Sequence, residues 1–378
     1  MRIHLDHNAT TPVCPEAASA MRRVLLEEFG NPSSVALEGA RARALVEAAR
    51  EDVARLLGAA PDHVRFTSGA TEANNTLLFG LLAPGDHVVT TQVEHPSVSA
   101  PLEALAMRGV SVDRIAPDAD GCVPLAALEA AIRPETRLVC VIWANNETGA
   151  IQPIPELAAL CRARGLWLHA DATQAIGKLP VDLAAVAVDS IASSAHKLGG
   201  PKGIGALIAR EQKTIRPLLV GGGQERGLRG GTENVIGIAG YGAACRAVAA
   251  EGPERERALR TLRDRLWQGI EQGIAGVRWN GGPATTLPNT LNVEFEGVAG
   301  EVLLQALDLE GIAVSAGAAC HSGSVEPSKI LLAMGRTPEE ARASLRFSVG
   351  QGVDAGQIER VIERLCVLVP RIRGLGAP

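Results

Sequence analysis

Residues 190–207 read Ser-Ile-Ala-Ser-Ser-Ala-His-Lys-Leu-Gly-Gly-Pro-Lys-Gly-Ile-Gly-Ala-Leu, and this stretch decides the fold. The runs at 189–192 and 204–209 predict two short buried strands with a turn between them. The turn carries Lys197 among polar side chains and glycines. A lysine in a partly dry turn loses its charge easily and becomes an amine nucleophile for carbonyl compounds. The alternative is a solvated lysine that caps a hairpin.

Around this stretch, short apolar strands alternate with helical periods from residue 64 to residue 209. This alternation predicts an α/β domain with a mostly parallel sheet flanked by helices. After about residue 255 the pattern changes, which predicts a smaller C-terminal α+β domain. Since 378 residues are too many for one core, we expect a large domain over 15–254 and a small domain built from 1–14 and 255–378.

The composition is typical of a folded protein from a reducing compartment. Hydrophobic residues make up 46% of the chain, and the net charge of −5 gives no electrostatic reason to expect nucleic acid or an anionic membrane as a partner. The first residues lack the apolar segment of a secretory signal, and no apolar run is long enough to span a bilayer. The chain has seven cysteines, which is an odd number, and none of them form a Cys-x-x-Cys pair. This favours reduced thiols and a cytoplasmic location.

Polar residues follow several of the expected strands. Ser68-Gly-Ala-Thr-Glu72 joins a strand to a helix, and the first N–H groups of that helix could seat a phosphate. The alternative is a plain helix cap that uses Glu72. His95 follows the next strand, where its ring could stack on an aromatic cofactor or lie exposed in a loop. His4 and His7 lack further ligands, so we expect no metal site.

Asp171 ends another expected strand, 26 residues before Lys197. A carboxylate below a pyridine nitrogen would keep that nitrogen protonated, and a protonated pyridine is the electron sink of pyridoxal phosphate chemistry. Asp171 and Lys197 together therefore favour pyridoxal 5'-phosphate as the carbonyl cofactor.

Three further features point to the same chemistry. The glycine-rich stretch 221–234 contains two arginines and suits an anion better than a dinucleotide, because no strand–helix frame surrounds it. Arg346 is a charge within an apolar strand, and a substrate carboxylate is a natural bidentate partner for it. Cys320 lies in an aperiodic stretch of small residues, whereas most of the other cysteines have apolar neighbours to pack with.

The chain resembles the cysteine desulfurases of the NifS/IscS type, within the pyridoxal-phosphate fold-type I enzymes of the class V aminotransferase family. The resemblance rests on ordered motifs along nearly the whole chain: Leu-Asp-His-Asn-Ala-Thr-Thr-Pro at 5–12, Phe-Gly-Asn-Pro-Ser-Ser at 29–34, Thr-Ser-Gly-Ala-Thr-Glu-Ala-Asn-Asn at 67–75, Glu-His-Pro at 94–96, Asn-Asn-Glu-Thr-Gly at 145–149, Asp-Ala-Thr-Gln-Ala-Ile-Gly-Lys at 171–178, Ser-Ala-His-Lys at 194–197, Gly-Gly-Gly-Gln-Glu at 221–225, Gly-Thr-Glu-Asn at 231–234 and Gly-Ala-Ala-Cys at 317–320.

The resemblance implies a role for each matching residue. Lys197 would carry the cofactor, His95 would stack on its ring and serve as acid or base, and Asp171 would hold the pyridinium. Cys320 would accept the sulfur of L-cysteine as a persulfide, and Arg346 would bind the substrate carboxylate. The remaining contacts would go to the ring oxygen and substrate (Gln174, Asn146), to the phosphate (Ala70, Thr71, Ser194, His196) and to the phosphate of the neighbouring subunit in a homodimer (Thr232).

Two positions depart from the family pattern. The usual Arg-Ser-Gly-Thr reads Arg-Gly-Gly-Thr at 229–232, which loses a hydroxyl, and His321 follows the cysteine where the family often has Ser or Thr. Neither departure removes a group with a proposed role.

The alternatives are a selenocysteine or cysteine-sulfinate lyase, an aminotransferase of the same family, or an inactive adaptor of a sulfur-assembly complex. The expected activity would supply sulfur to an acceptor such as an iron–sulfur scaffold protein.

Overall fold

A computed structural model of the chain describes residues 2–316 and 326–375. Cys320 and His321 lie outside the described residues. The strands are β1 (Ile3–His4), β2 (Val64–Thr67), β3 (His87–Thr91), β4 (Ser111–Ile115), β5 (Thr136–Ile142), β6 (Trp167–Asp171), β7 (Ser190–Ser194), β8 (Gly205–Ala209), β9 (Val277–Trp279), β10 (Thr290–Phe295), β11 (Ile312–Ala313) and β12 (Ser344–Ser348). The α-helices are α1 (Pro15–Glu27), α2 (Leu37–Leu56), α3 (Ala70–Leu81), α4 (Pro96–Ala106), α5 (Leu125–Ala130), α6 (Ile154–Arg164), α7 (Val235–Gly273), α8 (Gly300–Leu309), α9 (Lys329–Ala333), α10 (Pro338–Arg342) and α11 (Ala355–Leu375).

The largest sheet has seven strands in the order β2-β8-β7-β6-β5-β3-β4. The five strands β4, β3, β5, β6 and β7 run parallel, and β8 is antiparallel to both of its neighbours. The expected α/β fold with a mostly parallel mixed sheet is therefore confirmed. Since the parallel strands end at one edge, that edge collects the residues that follow β3, β5, β6 and β7.

Two strands of this sheet extend further than the sequence indicated. Ser193 and Ser194, expected in the turn before Lys197, belong to β7 and pair with Ala206 and Gly205 of β8. Asp171, expected just after a strand, is the last residue of β6 and pairs with Ala192. Asp171 has a partner on each neighbouring strand, whereas Ser193 and Ser194 continue the ladder with β8 alone.

Two smaller sheets are formed largely by the C-terminal part of the chain. β10 lies between β9 and β12 and is antiparallel to both, and β1 pairs parallel with β11. Leu5, Phe295 and Phe347 pack in the core of this region, together with apolar residues of the second half of α7 and of α11. The domain boundaries at 14/15 and 254/255 stay a prediction.

The backbone of α7 is interrupted near its middle. Gly252 has φ +54° and ψ −143°, which interrupts the helical backbone immediately before Pro253. A proline removes a backbone donor from a helix interior, and glycine tolerates the conformation that precedes it. Within the described ranges, none of the helices combines the length and apolarity that a membrane crossing requires.

The glycine-rich stretch 221–234 is anchored to the large sheet by one buried ion pair. The Arg50 guanidinium donates to both Glu225 carboxylate oxygens at 2.8 and 2.9 Å, and both side chains are nearly inaccessible. Glu225 also accepts the Phe66 backbone N–H at 2.7 Å. Glu225 and Arg226 have φ of +46° and +55°, which is costly for residues with a Cβ. The ion pair therefore holds the stretch in a conformation that its own backbone does not favour.

Glu225→Ala should lower the free energy of unfolding by about 3 kcal/mol, because it removes the buried carboxylate from both Nη atoms of Arg50 and leaves only the half-exposed Glu47 at its Nε. The measurement is urea unfolding followed by circular dichroism. Glu254→Ala is the matched control, because its pair with Arg257 is fully solvated and should contribute less than about 1 kcal/mol. Equal unfolding midpoints for the two variants would contradict this account of the anchor.

Candidate active site

The carboxyl edge of the large sheet borders a cavity of about 720 Å³. Most of the residues expected at the site line it: Ala70, Thr71, His95, Asn146, Asp171, Gln174, Ser194, His196, Lys197 and Arg346. Thr232 lies outside this cavity and lines a neighbouring one of about 200 Å³, which shares Ser68 and Gly203 with the first. The roles assigned to these residues stay predictions.

Lys197 lies in a short 3-10 turn, Ala195–Lys197, directly after β7. Its Nζ donates to the backbone oxygens of Asn8 at 2.5 Å and Ala9 at 2.7 Å. Burial and the positive charge of Arg346 lower the pKa of Lys197 to about 8. An amine with this pKa is partly neutral near physiological pH and is therefore a usable nucleophile. The geometry does not fit the alternative of a solvated hairpin lysine.

Asp171 projects into the cavity from the end of β6 and is buried. Its Oδ2 accepts from Asn74 Nδ2 at 2.9 Å, and its Oδ1 accepts the Thr173 backbone N–H at 3.0 Å. These two hydrogen bonds fix the orientation of the Asp171 carboxylate at the cavity wall.

His95 is the N-cap of α4 and also faces the cavity. Its Nδ1 accepts the Ser97 backbone N–H at 3.0 Å and lies 2.8 Å from Ser97 Oγ. Burial lowers the pKa of His95, so the ring is neutral near physiological pH. With Nδ1 occupied as an acceptor, the single ring proton of neutral His95 is on Nε2. The ring can give this proton to a group in the cavity.

The start of α3 has the features of an anion-binding site. The first N–H groups of a helix have no acceptor within it and carry the positive end of the helix dipole. Ala70 and Thr71 are the first two residues of α3. Glu72 accepts the Ser68 N–H at 2.8 Å and Arg229 Nε at 3.0 Å. Glu72 thus bonds the residue before the N-cap Gly69, and α3 has no side-chain cap of the kind expected as the alternative.

Arg346 is paired within the protein. Its Nη2 donates to Asp6 Oδ1 at 2.6 Å, and its Nη1 donates to the Asn146 backbone oxygen at 2.8 Å. Its Nε is buried and has no hydrogen-bond partner among the described residues. The sequence had suggested a substrate carboxylate as the partner and had missed Asp6. Arg346 can still receive a second carboxylate through Nε and a free Nη hydrogen.

Gln174 is hydrogen bonded at both ends of its amide. Its Nε2 donates to the Asn8 backbone oxygen at 2.9 Å, and its Oε1 accepts from Lys178 Nζ. Lys178 also donates to Asn8 Oδ1 at 3.0 Å and is fully enclosed. Burial and the charges of Lys197 and Arg346 lower the pKa of Lys178 well below its usual value.

Sequence reasoning missed several residues of the site. Asp6, Asn8, Ser97 and Thr173 line the cavity, and Asn74 lies directly behind it. Each of them stands inside or next to a motif that had been recognised, within two positions of an assigned residue or in the polar run at 5–12. Unusually polar residues in buried, periodic segments were the signal that could have identified them.

The residues present fit pyridoxal phosphate. Thr173 lines the cavity, and its Oγ1 is buried without a hydrogen-bond partner among the described residues. The cavity wall therefore has a polar atom that can hydrogen bond to a bound molecule. The site also provides an amine, a carboxylate and a helix start at separate places. These match the aldehyde, ring nitrogen and phosphate of the cofactor in chemical type.

The aminotransferase class-V family matches residues 3–361 of the chain. The chain belongs to this family. The cysteine desulfurase IscS of Serratia proteamaculans is 43% identical over 382 residues, covering 99% of this chain and 94% of that protein. A cysteine desulfurase of Cereibacter sphaeroides is 45% identical over 380 residues, covering 99% and 97%. The solved structure of a NifS-like protein has a TM-score of 0.91 and 34% identity, covering 98% of this chain and all of that one.

These comparisons confirm the resemblance that the motifs indicated, and they confirm fold-type I. The chain is therefore a pyridoxal-phosphate-dependent enzyme.

In the cofactor-free protein, the rate at which pyridoxal phosphate attaches should rise with pH through about 8, because only the neutral Lys197 amine attacks the aldehyde. Arg346→Gln should move the midpoint to higher pH, because it removes a positive charge that lowers the pKa of Lys197. The measurement is stopped-flow absorbance across the range from about pH 6 to about pH 10, which brackets the usual lysine pKa. The exposed Arg257→Gln is the control. An unchanged midpoint in Arg346→Gln would contradict the electrostatic assignment.

Proposed function

We propose that the chain is a cysteine desulfurase, which removes the sulfur of L-cysteine, releases L-alanine and keeps the sulfur on Cys320 as a persulfide. The observation that carries this proposal is one cavity with a nucleophilic amine, a buried carboxylate, a proton-donating histidine and an arginine with a free donor. The identity to cysteine desulfurases over nearly the whole chain supports the same reaction. An inactive adaptor would not need to retain Lys197, Asp171 and His95 together.

Lys197, Asp171 and His95 would hold the cofactor at its aldehyde, ring nitrogen and ring face. Ala70, Thr71, Ser194 and His196 would contact its phosphate, and burial lowers the pKa of His196 to about 4, so this ring binds in its neutral form. Bound pyridoxal phosphate supplies an electron sink for the bonds at the substrate α-carbon.

Substrate would enter beside Arg346. Its carboxylate would take the Nε donor and the remaining Nη donor while Asp6 keeps its own contact. Asn146 is tied to this arginine through its backbone oxygen, which places its side chain next to the same position. Bidentate pairing fixes the orientation of the substrate as well as its affinity.

Lys197 would move the α-proton, since its neutral amine can accept one at physiological pH. His95 would give a proton from Nε2. In the net reaction, the carbon–sulfur bond of cysteine breaks and a sulfur–sulfur bond forms on Cys320. The Cys320 thiol loses its hydrogen, and the former Cβ gains one and becomes the methyl group of alanine.

Five of the six described cysteines are poor candidates for the sulfur carrier. Cys14, Cys140, Cys161 and Cys245 are buried, and burial raises the pKa of each thiol. Burial raises the pKa of Cys122 to about 11, and its thiol donates to the Ile151 oxygen at 3.4 Å. A raised pKa means less thiolate, and the thiolate is the nucleophile.

Cys320 is within chain reach of the site. Ser315 lines the cavity, and its backbone is paired with that of Arg346 at 2.7 and 3.1 Å. An extended chain covers about 3.5 Å per residue, so the five residues from Ser315 to Cys320 span at most about 17 Å. A small-residue segment of that length can bring a thiol to the substrate.

The sulfur acceptor would be a protein such as an iron–sulfur scaffold, and the location would be the cytoplasm. Both proposals rest on the named relatives and on the free cysteines of the described chain. The chemistry of the cavity is the same for any thiol-containing acceptor.

Cys320→Ser should retain cofactor and bind cysteine, because Lys197 and Arg346 are intact, yet lose nearly all sulfide and alanine production. The measurement combines the cofactor absorbance, alanine release from L-cysteine and persulfide labelling. Cys122→Ser is the control and should keep wild-type rates. Alanine release from Cys320→Ser at near the wild-type rate would exclude the proposed mechanism, and a marked preference for L-selenocysteine in the wild type would favour a selenocysteine lyase.

A homodimer is also part of the proposal. Apolar side chains are strongly exposed near the end of α1 and the start of α2, with Leu26 71%, Phe29 88% and Val35 100% accessible. Exposed apolar residues this close together mark an interaction site. The resemblance assigns Thr232 to the neighbouring subunit's phosphate, which is consistent with its place outside the main cavity.

Phe29→Asp should convert the dimer to monomers and reduce activity, because it puts a charge into the apolar contact. Analytical ultracentrifugation measures the mass. Leu309→Asp is the control, since Leu309 is equally exposed but lies on α8. A wild-type protein that sediments as a fully active monomer would contradict the homodimer.

A further inference from the structure

Behind the cavity, a buried chain of hydrogen bonds leads from Trp167 to Asp171. Trp167 Nε1 is 2.8 Å from Ser190 Oγ, which is 2.9 Å from His169 Nδ1. His169 Nε2 is 2.9 Å from Asn74 Oδ1, and Asn74 Nδ2 is 2.9 Å from Asp171 Oδ2. Asn74, His169 and Ser190 are almost completely buried.

The carboxylate end of this chain sets the direction of its bonds, because a carboxylate can only accept. The Asn74 amide therefore turns its N–H groups toward Asp171 and its Oδ1 toward His169. His169 carries its proton on Nε2 and donates it to Asn74 Oδ1. The Nδ1 of a neutral ring then accepts from the Ser190 hydroxyl, whose oxygen also accepts from Trp167 Nε1. Burial lowers the pKa of His169 to about 4, so the ring is neutral, as this pattern requires.

The second Asn74 N–H donates to Ser97 Oγ at 2.9 Å. Ser97 in turn contacts His95 Nδ1 at 2.8 Å. One amide thus connects Asp171 and His95, two cavity residues that approach from different strands. If the amide turned over, its oxygen would face the Asp171 carboxylate, and the His169 N–H holds it against that rotation.

We propose that Asn74, locked in place by His169, is a positioning residue that orients the Asp171 carboxylate to receive the ring N–H of the cofactor. This inference rests on the proposed role of Asp171 and not on the proposed substrate. It assigns a function to buried polar residues of α3 and β6 that do not touch the cavity contents themselves.

The test compares two ligands of the cofactor-free protein. Pyridoxal phosphate has a ring nitrogen that can pair with Asp171, whereas 1-deazapyridoxal phosphate has a carbon at that place. Asn74→Leu should raise the dissociation constant of pyridoxal phosphate by about tenfold or more, the loss expected for a hydrogen bond to a charged group. The constant for the deaza analogue should change by less than about twofold, because no N–H interaction is lost there.

Asn75→Leu is the matched control. Asn75 is the next residue of α3 and donates to the Thr71 oxygen at 2.8 Å, away from Asp171. It should bind both ligands like the wild type. Asn74→Ala is tested in parallel in case leucine prevents folding, and thermal unfolding of each cofactor-free variant verifies the fold.

A folded Asn74 variant that weakens both ligands equally, or neither, would overturn the proposal, because a merely structural role does not distinguish nitrogen from carbon. A second readout needs no ligand. Nitrogen-15 spectra of the wild-type protein, which has only eight histidines, should show His169 protonated at Nε2. Protonation at Nδ1 would equally refute the locked orientation.

Discussion

Asn8 is the point at which the large sheet and the C-terminal sheet are hydrogen bonded to one another. Its backbone oxygen accepts from Lys197 and Gln174, and its side-chain oxygen accepts from Lys178 and Asn289. Its amide nitrogen donates to Thr290 Oγ1 at 2.8 Å and to the Asn146 oxygen at 3.2 Å. A single residue of the N-terminal segment therefore sets the distance between the cofactor-binding amine and the strands that carry Arg346. The cavity exists because this segment crosses between the sheets at this point.

The electrostatics of the cavity follow from this arrangement. Lys178 and Lys197 are both desolvated, which lowers the pKa of each, and the charge of Lys197 lowers the pKa of Lys178 further. Backbone and amide oxygens of Asn8 satisfy their hydrogens without supplying a negative charge. Arg346, which cannot lose its proton at physiological pH, keeps the positive charge of the site and is held by Asp6. Beside this arginine, the pKa of Lys197 is low enough for part of the amine to be neutral near physiological pH without a dedicated base.

Much of the fold and of the site was predictable from the sequence. Strand–helix alternation predicted the α/β sheet, and residues such as His95 and Asp171 were recognised because they follow apolar strands. The partners of these residues were not predictable in the same way. Asn74 lies in a helix and Asp6 in a polar turn, and each acquires its role from a residue nearly 100 or more positions away. Periodicity and motifs report local structure, whereas such long-range pairs depend on the packing of complete elements.

The same reasoning explains why Cys320 is proposed as the sulfur carrier from composition and not from contacts. The described cysteines lie where strands and helices pack, so burial that stabilises the fold also raises the pKa of most of their thiols. A reactive thiol needs the opposite environment, with space to approach substrate and water or a cation to stabilise the thiolate. Residues 315–324, which apart from Cys320 and His321 are Gly, Ala and Ser, begin where Ser315 pairs with Arg346, the proposed binding site of the substrate carboxylate. The strand that would bind the substrate thus also sets the starting point of the segment that would take its sulfur.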